Sequence, residues 1–356
     1  MKMMSKNISD HILLVGPDFK EPKGGIAQVL NVYSKYFQTF HFVSTLNGNS
    51  KISKIWELIC AYFKFLYYML FKHNIEIIHI HGTANNSIKR KSLFIKTAIV
   101  FRKKVIYHVH SATLPECDKT QHDFINKTFK KCDLIIALTP YWENYIRNTY
   151  DCKKVVSLEN IIDYPPNVKE NSEKDASVFT FVYLGLISQH KGIYDLIDVV
   201  VNNYHLLKGK VRFLIAGNGE TDKLTTLIKS NNIGDVMSYI GWVSGREKAE
   251  LLSQCDVYLQ PTYAEGQPIS ILEALSYGKP ILTTPVGGIP DIVKNRYNGI
   301  LFTPGNKREL AEAINNFLDM SPDKVQLMGQ NSLSMVEAHM PSAVVEKLEN
   351  IYTNLL

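Results

Sequence analysis

Residues Cys255 to Val293, CDVYLQPTYAEGQPISILEALSYGKPILTTPVGGIPDIV, read as strand, loop, helix and strand in close succession. DVYLQP and KPILTT are short β-branched and aromatic runs, the composition of buried strands. Pro268 is tolerated in the first turn of a helix, where its missing N–H would have had no partner. PISILEALSYG therefore predicts a helix that ends near Gly278 and buries Ile269, Leu272 and Leu275. This places two carboxylates differently: Glu265 in the loop before the helix, Glu273 inside it. On ordinary grounds Glu265 complements the helix dipole, worth a few tenths to about 1 kcal/mol, and Glu273 faces water.

Outward from this stretch the same alternation continues. HILLVG, FHFVST, IEIIHIH, KVIYHVH, DLIIAL and KVVSL precede it, followed by VFTFVYLG, VRFLIAG and VMSYIG, with helix-period segments between them. Strands alternating with helices predict an α/β fold of parallel sheets covered on both faces. YPPNVKENSEKDAS (164–177) has two prolines, several charges and no periodicity, and reads as a linker. The expected organisation is a first domain over 1–165, a linker over 166–177, a second domain over 178–340 and a terminal helix over 341–356 packing back on the first domain. Two doubly wound sheets joined in this way are expected to face each other across a ligand-binding cleft.

A chain of 356 residues, 45% hydrophobic and 21% charged, has the balance of a globular protein of about two domains. Five scattered cysteines without CxxC spacing suggest neither a disulfide framework nor a zinc ribbon, and a cytoplasmic location is expected. The apolar run ILLVG near the N-terminus is too short for a signal peptide. Ile55 to Phe71, IWELICAYFKFLYYMLF, is the most lipid-like segment, but it is at the lower limit for a span and contains Glu57 and Lys64.

Residues 1–165 hold 23 Lys+Arg against 13 Asp+Glu, and the remainder 17 against 21, so the whole positive excess lies in the first half. Two readings of its basic, aromatic helices stay open: ordinary packing on a sheet, or peripheral contact with an anionic membrane. Nucleic acid is disfavoured because no recognition motif accompanies the charge.

Three loops have the character of anion sites. Gly24-Gly25 precedes an apolar helix, where the backbone approaches a ligand closely and the helix offers N–H donors. In VYLGLISQHKGIYDLI, Lys191 stands at a helix N-terminus, an unfavourable place for a cation unless an anion neutralises it. In LIAGNGE, Gly217 opens a Gly-x-Gly turn that lacks the third glycine of the dinucleotide fingerprint, which disfavours a dehydrogenase.

Together these residues resemble glycosyltransferase family 4, retaining enzymes of the GT-B fold with two Rossmann-like domains. The resemblance rests on Gly24-Gly25, the strand ending at His110, Lys191-Gly192, AGNGE, and above all the E-x7-E spacing of Glu265 and Glu273 followed by EALSYGKP and GGIPDIV. It implies that Glu273, with Ser270 nearby on the helix, holds the ribose of a nucleotide-sugar donor. Glu265 would meet the donor sugar, with the backbone N–H groups of Gly266 and Gln267. Lys191 would neutralise the diphosphate, assisted by Gly25, and the turn from Gly241 to Val243 would lie beside the base. His110 would stand near the sugar as a third catalytic candidate.

The implied reaction is hexosyl transfer from a UDP- or GDP-sugar to a glycan or polyprenyl-diphosphate-linked acceptor in cell-surface polysaccharide or capsule assembly. No metal or other cofactor is expected. Two departures stand out. Leu186 occupies the place of an arginine that many members set on the diphosphate, leaving Arg246 as one substitute, and Gln267 stands where an aromatic is common. A nucleotide-sugar 2-epimerase and a non-catalytic sugar-binding protein are the alternatives.

Overall fold

The computed structural model describes residues 3–20, 24–45, 51–84, 86–166 and 178–356. It divides into two compact units, one of Met1–Asp163 with Ala338–Leu356 and one of Tyr164–Glu337. Of the expected linker, residues 167–177 lie outside the described residues.

The first unit is built on β1 (Ile12–Gly16), β2 (His41–Ser44), β3 (Ile77–Gly82), β4 (Lys104–Val109), β5 (Leu134–Ala137) and β6 (Val155–Ser157), in the order β2-β1-β3-β4-β5-β6. Every pairing is parallel. β1 and β3 are buried along their whole length, as expected of parallel strands covered on both faces. The register sets His81 of β3 beside His108 of β4. The Pro341–Thr353 helix belongs to this unit and buries Val344, Val345, Leu348 and Tyr352.

The second unit carries β7 (Phe179–Leu184), β8 (Val211–Ala216), β9 (Met237–Tyr239), β10 (Val257–Gln260), β11 (Ile281–Thr283) and β12 (Gly299–Leu301), in the order β12-β11-β10-β7-β8-β9 and again all parallel. β12 is absent from the runs read in the sequence. It is three residues long, begins with a glycine and follows the polar turn NRYN, so it offers neither length nor alternation to recognise. Its place is fixed instead by pairing with β11, Ile281 opposite Gly299. The core under this sheet gathers Phe181, Phe213 and Phe317, with the rings of Phe181 and Phe213 stacked at 5.1 Å.

Candidate active site

In the second unit β7 and β10 are neighbours, yet the chain leaves β7 toward β8 and β9 on one side and leaves β10 toward β11 and β12 on the other. Ligands in open α/β sheets bind at the carboxyl ends of the strands where the order reverses in this way. The residues after β7 include Leu186 and Lys191, and those after β10 include Glu265 to Pro268.

These two loops are fastened to each other. Gly192 has φ +71°, and a Cβ there would run into the carbonyl oxygen of Pro261, so only glycine lets the β7 loop lie so close to the β10 loop. The Tyr263 N–H donates to the His190 carbonyl at 3.0 Å, and the Tyr263 hydroxyl donates to Asp195 Oδ2 at 2.6 Å on the helix that follows Gly192. Lys191 closes the 3-10 turn Gln189–Lys191 directly before that glycine.

Glu265 is 7% exposed, which for a carboxylate demands partners. Lys191 Nζ lies 2.5 Å from its Oε1, and Gln260 Nε2 donates to the same oxygen at 2.5 Å. Gln260 is itself buried at the end of β10, where its Oε1 accepts from Ser270 Oγ at 2.9 Å and Tyr258 OH at 3.0 Å. Glu265 is therefore oriented by a lysine from one loop and an amide from the strand end, and the amide is oriented in turn by two hydroxyls. Removing either charge would leave the other buried and uncompensated, a change of about 3–5 kcal/mol for fully buried pairs and less here because Lys191 keeps some water contact.

Glu273, one turn and more into the Ile269–Ser276 helix, is 2.5 Å from Lys248 Nζ, and both side chains are mostly buried. It is thus not the water-facing residue that its position on a helix suggests. Pro268 occupies the N-cap position of that helix, which has no side-chain cap and no acidic residue in its first turn. The first turn itself thus supplies no carboxylate to the positive end of the helix. Across the sheet edge, the Gly217 N–H donates to the Gly241 carbonyl at 2.9 Å, the Tyr239 hydroxyl donates to the Gly217 carbonyl at 2.9 Å, and Val243 is partly buried just beyond.

The first unit places Gly24 and Gly25 at the start of the Gly25–Tyr36 helix, both exposed and again without a side-chain cap. His110 follows β4, its Nε2 3.0 Å from His81 Nδ1. Behind it lie His79, His81 and His108, all fully buried, with Tyr352 of the terminal helix 2.6 Å from His79 Nδ1. Burial pushes the His79 imidazolium down to about 3, and His81, His108 and His110 lie below the ordinary range for the same reason, helped by the positive charges they would place on one another. The buried Lys91 ammonium, drawn down to about 7 by desolvation, donates to the His81 carbonyl.

The ligand atoms of His79, His81 and His108 lie within 4.8 Å of one another. Their rings, however, are stacked or tilted at 11°, 29° and 39°. Rings at these angles and separations pack on one another as aromatic groups do.

Residues 166–335 match the family model for Glycosyl transferases group 1, which is nearly the whole second unit. An uncharacterized glycosyltransferase of Methanocaldococcus jannaschii is 23% identical over 74% of this chain, a match that spans 64% of the relative, slightly under two thirds of its length. A UDP-Gal:alpha-D-GlcNAc-diphosphoundecaprenol alpha-1,3-galactosyltransferase of Escherichia coli is 24% identical over 88% of this chain and 84% of its own. The crystal structure of Anabaena Alr3699/HepE in complex with UDP superposes with a TM-score of 0.78 at 17% identity, covering 96% of this chain and 99% of the other. The chain has the GT-B fold, and its second unit resembles the Glycosyl transferases group 1 family.

Within this fold the sequence-derived residues of the second unit fall into three groups. Lys191, Glu265 and Ser270 are joined through Gln260, Glu273 is paired separately with Lys248, and Gly217 is bonded to Gly241. Gly266 is tied to Gly288, whose N–H donates to the Gly266 carbonyl at 3.0 Å, and Gln267 is buried. Gly24, Gly25 and His110 belong to the other unit. Arg246 is exposed and held by Glu250 at 2.7 Å on its own helix, and Leu186 is 49% exposed. Gln260 and Lys248 were not among the residues singled out in the sequence. A polar residue closing the apolar strand VYLQ was a signal for the first, whereas nothing local to Lys248 announces Glu273, 25 residues on.

Proposed function

We propose that this chain is a glycosyltransferase that moves a hexosyl group from a nucleoside-diphosphate sugar to a hydroxyl of a glycan or lipid-linked glycan, with retention at the anomeric carbon, as its resemblance to family 4 implies. The observation that carries the reading is the pairing of Lys191 with Glu265 at the reversal of strand order, with Glu273 on the next helix. One cation and two carboxylates there have the character needed to hold a diphosphate, a sugar and a ribose.

In this reading the bond from the sugar C1 to the diphosphate oxygen breaks, and Lys191 with the helix N-termini offsets the charge that develops on the leaving group. The acceptor oxygen bonds to C1 on the face the diphosphate leaves, and its proton passes to the departing phosphate oxygen. Glu265, fixed by Lys191 and Gln260, orients the sugar, and His110 keeps the role the resemblance gives it. No metal is assigned a part.

The complex of the Anabaena structure with UDP and the UDP-Gal donor in the E. coli relative's name support a UDP-linked donor. That relative's diphosphoundecaprenol acceptor supports a polyprenyl-diphosphate-linked acceptor at a membrane surface in polysaccharide assembly.

The test is nucleoside-diphosphate release from UDP- and GDP-sugars by wild type, Lys191→Ala and Glu273→Ala, with the anomeric configuration of any product read by NMR. Loss of at least about a hundredfold in kcat/KM in Lys191→Ala is expected from removal of a charge that acts on the leaving group. Wild-type kinetics in both variants would show that the site lies elsewhere, and an inverted product would remove the retaining mechanism.

A further inference from the structure

The Lys51–Phe71 helix is apolar on two opposite sides. Ala61, Phe65 and Met69 are buried against the first unit's core. Every fourth residue from Ile55 onward, Ile59, Phe63, Tyr67 and Phe71, is 41–67% exposed, and Trp56 beside them is 66% exposed. At about 100° per residue these six span an arc of about 160° centred on Phe63 and opposite Phe65. A helix on a globular surface ordinarily keeps its outer face polar, and an unbroken run of large exposed side chains of this kind marks an interaction surface.

The adjacent helix, Asn86–Val100, supplies the charge. It packs on the first through Phe94, whose ring lies 5.2 Å from that of Phe65, and through the Tyr62 hydroxyl, 2.9 Å from Thr97 Oγ1. Its own exposed side carries Lys89, Leu93, Lys96 and Val100, which share one face at helical spacing. From residue 51 to residue 104 the chain has eleven Lys+Arg and only Glu57 and Glu76 against them. A second copy of this surface would therefore meet it with like charge, whereas an anionic lipid headgroup layer complements it. Among the described residues no helix is long and apolar enough to cross a membrane.

We propose that these two helices form a membrane-docking face. The Ile59–Phe63–Tyr67 side of the first lies in the plane of an anionic leaflet with its side chains below the headgroups, and Lys89 and Lys96 of the second engage the lipid phosphates. The proposal goes beyond the lipid-linked acceptor assigned above in naming the face, its depth and its lipid preference, and it stands whichever sugar is moved.

The experiment is co-sedimentation of the full chain with phosphatidylglycerol-containing vesicles and with pure phosphatidylcholine vesicles, at low and high salt, followed in parallel by tryptophan emission. Expected are binding to the anionic vesicles only, weakening with salt, and a blue shift that Trp56→Phe abolishes. Lys96→Gln should lower partitioning about fivefold, the equivalent of about 1 kcal/mol for one basic residue at the surface. Ile59→Glu/Phe63→Glu should lower it at least about tenfold, from the apolar groups it withdraws. Both positions are exposed, so that variant is expected to keep wild-type nucleoside-diphosphate release from a soluble donor, which separates failure of docking from failure of the donor site. Absence of binding at low salt, equal binding to neutral vesicles, or undiminished binding by the double variant would each overturn the proposal. So would a concentration-dependent dimer, seen by analytical ultracentrifugation without vesicle binding and lost in the same variant, which would assign the face to a second copy.

Discussion

The buried histidines make a pH dependence calculable. His79 is fully buried, and desolvation takes it from an ordinary 6.5 to about 3, so between these values the unfolded chain binds a proton that the folded chain does not. Stability therefore rises with pH in this window: the contribution is complete above about pH 6.5 and is lost as pH falls toward 3. At pH 5 the unfolded histidine is about 1.5 pH units below its pKa, which corresponds to about 2 kcal/mol of lost stability from this one residue relative to pH 8, and about 3 kcal/mol at pH 4. His81 and His108 shift in the same direction for the same cause. Against the 5–15 kcal/mol stability of an ordinary domain, the first unit should lose much of its margin by pH 5.

The measurement is urea unfolding at pH 8 and pH 5 in a Trp242→Phe background, where Trp142, 5% exposed, reports the first unit's core. His79→Asn removes the titration while leaving a polar partner for Tyr352. Any cavity it creates lowers stability equally at both pH values, so only the difference between them is diagnostic. That difference should shrink by about 2 kcal/mol in the variant. An unchanged difference would refute the reasoning, because it would mean that the folded state takes up the proton at His79.

Three other outcomes are expected. Gly192→Ala imposes a side chain at φ +71° against the Pro261 carbonyl and should destabilise the second unit by more than the 1–2 kcal/mol of the backbone conformation alone, read from Trp242 fluorescence on denaturation. Gln260→Leu takes one partner from the Glu265 oxygen, which keeps Lys191, one from the Tyr258 hydroxyl, which keeps the Leu184 carbonyl, and one from the Ser270 hydroxyl, so it should cost about 1–3 kcal/mol in the same assay and lower kcat, whereas stability and turnover equal to wild type would count against the orienting role. Leu186→Arg adds an exposed cation to the loop that carries Lys191 and should tighten nucleoside-diphosphate binding severalfold with a steeper salt dependence in calorimetric titration; unchanged affinity would argue that no diphosphate passes over that loop.

What could be read in the sequence depended on how local its cause was. Parallel strands buried on both faces leave continuous runs such as ILLVG and VYLQ, and Pro268 marks a helix start by a steric rule that needs no neighbour, so these elements were legible. β12 was not, because GIL becomes a strand only through pairing with β11. The two glutamates were legible as a pair through their spacing and resemblance, but their surroundings were not: the burial of Glu265 depends on Gln260 and Lys191, the latter 74 residues away, and the partner of Glu273 comes from a helix that shows only an ordinary surface pattern. The histidines alternated visibly along two strands, yet their enclosure depends on the register of β3 with β4 and on Tyr352 from the far end of the sequence.

That last contact has a consequence for the order in which the protein is made. Residues 338–356 complete a unit whose other residues are synthesised first, while the second unit is one continuous segment. As the chain leaves the ribosome, residues 164–337 have all their own partners before the earlier segment has its final helix, and His79 waits for Tyr352. The unit translated first is therefore expected to be the one that finishes last, and truncation after Glu337 should leave an intact second unit joined to a first unit whose histidine layer is open on one side.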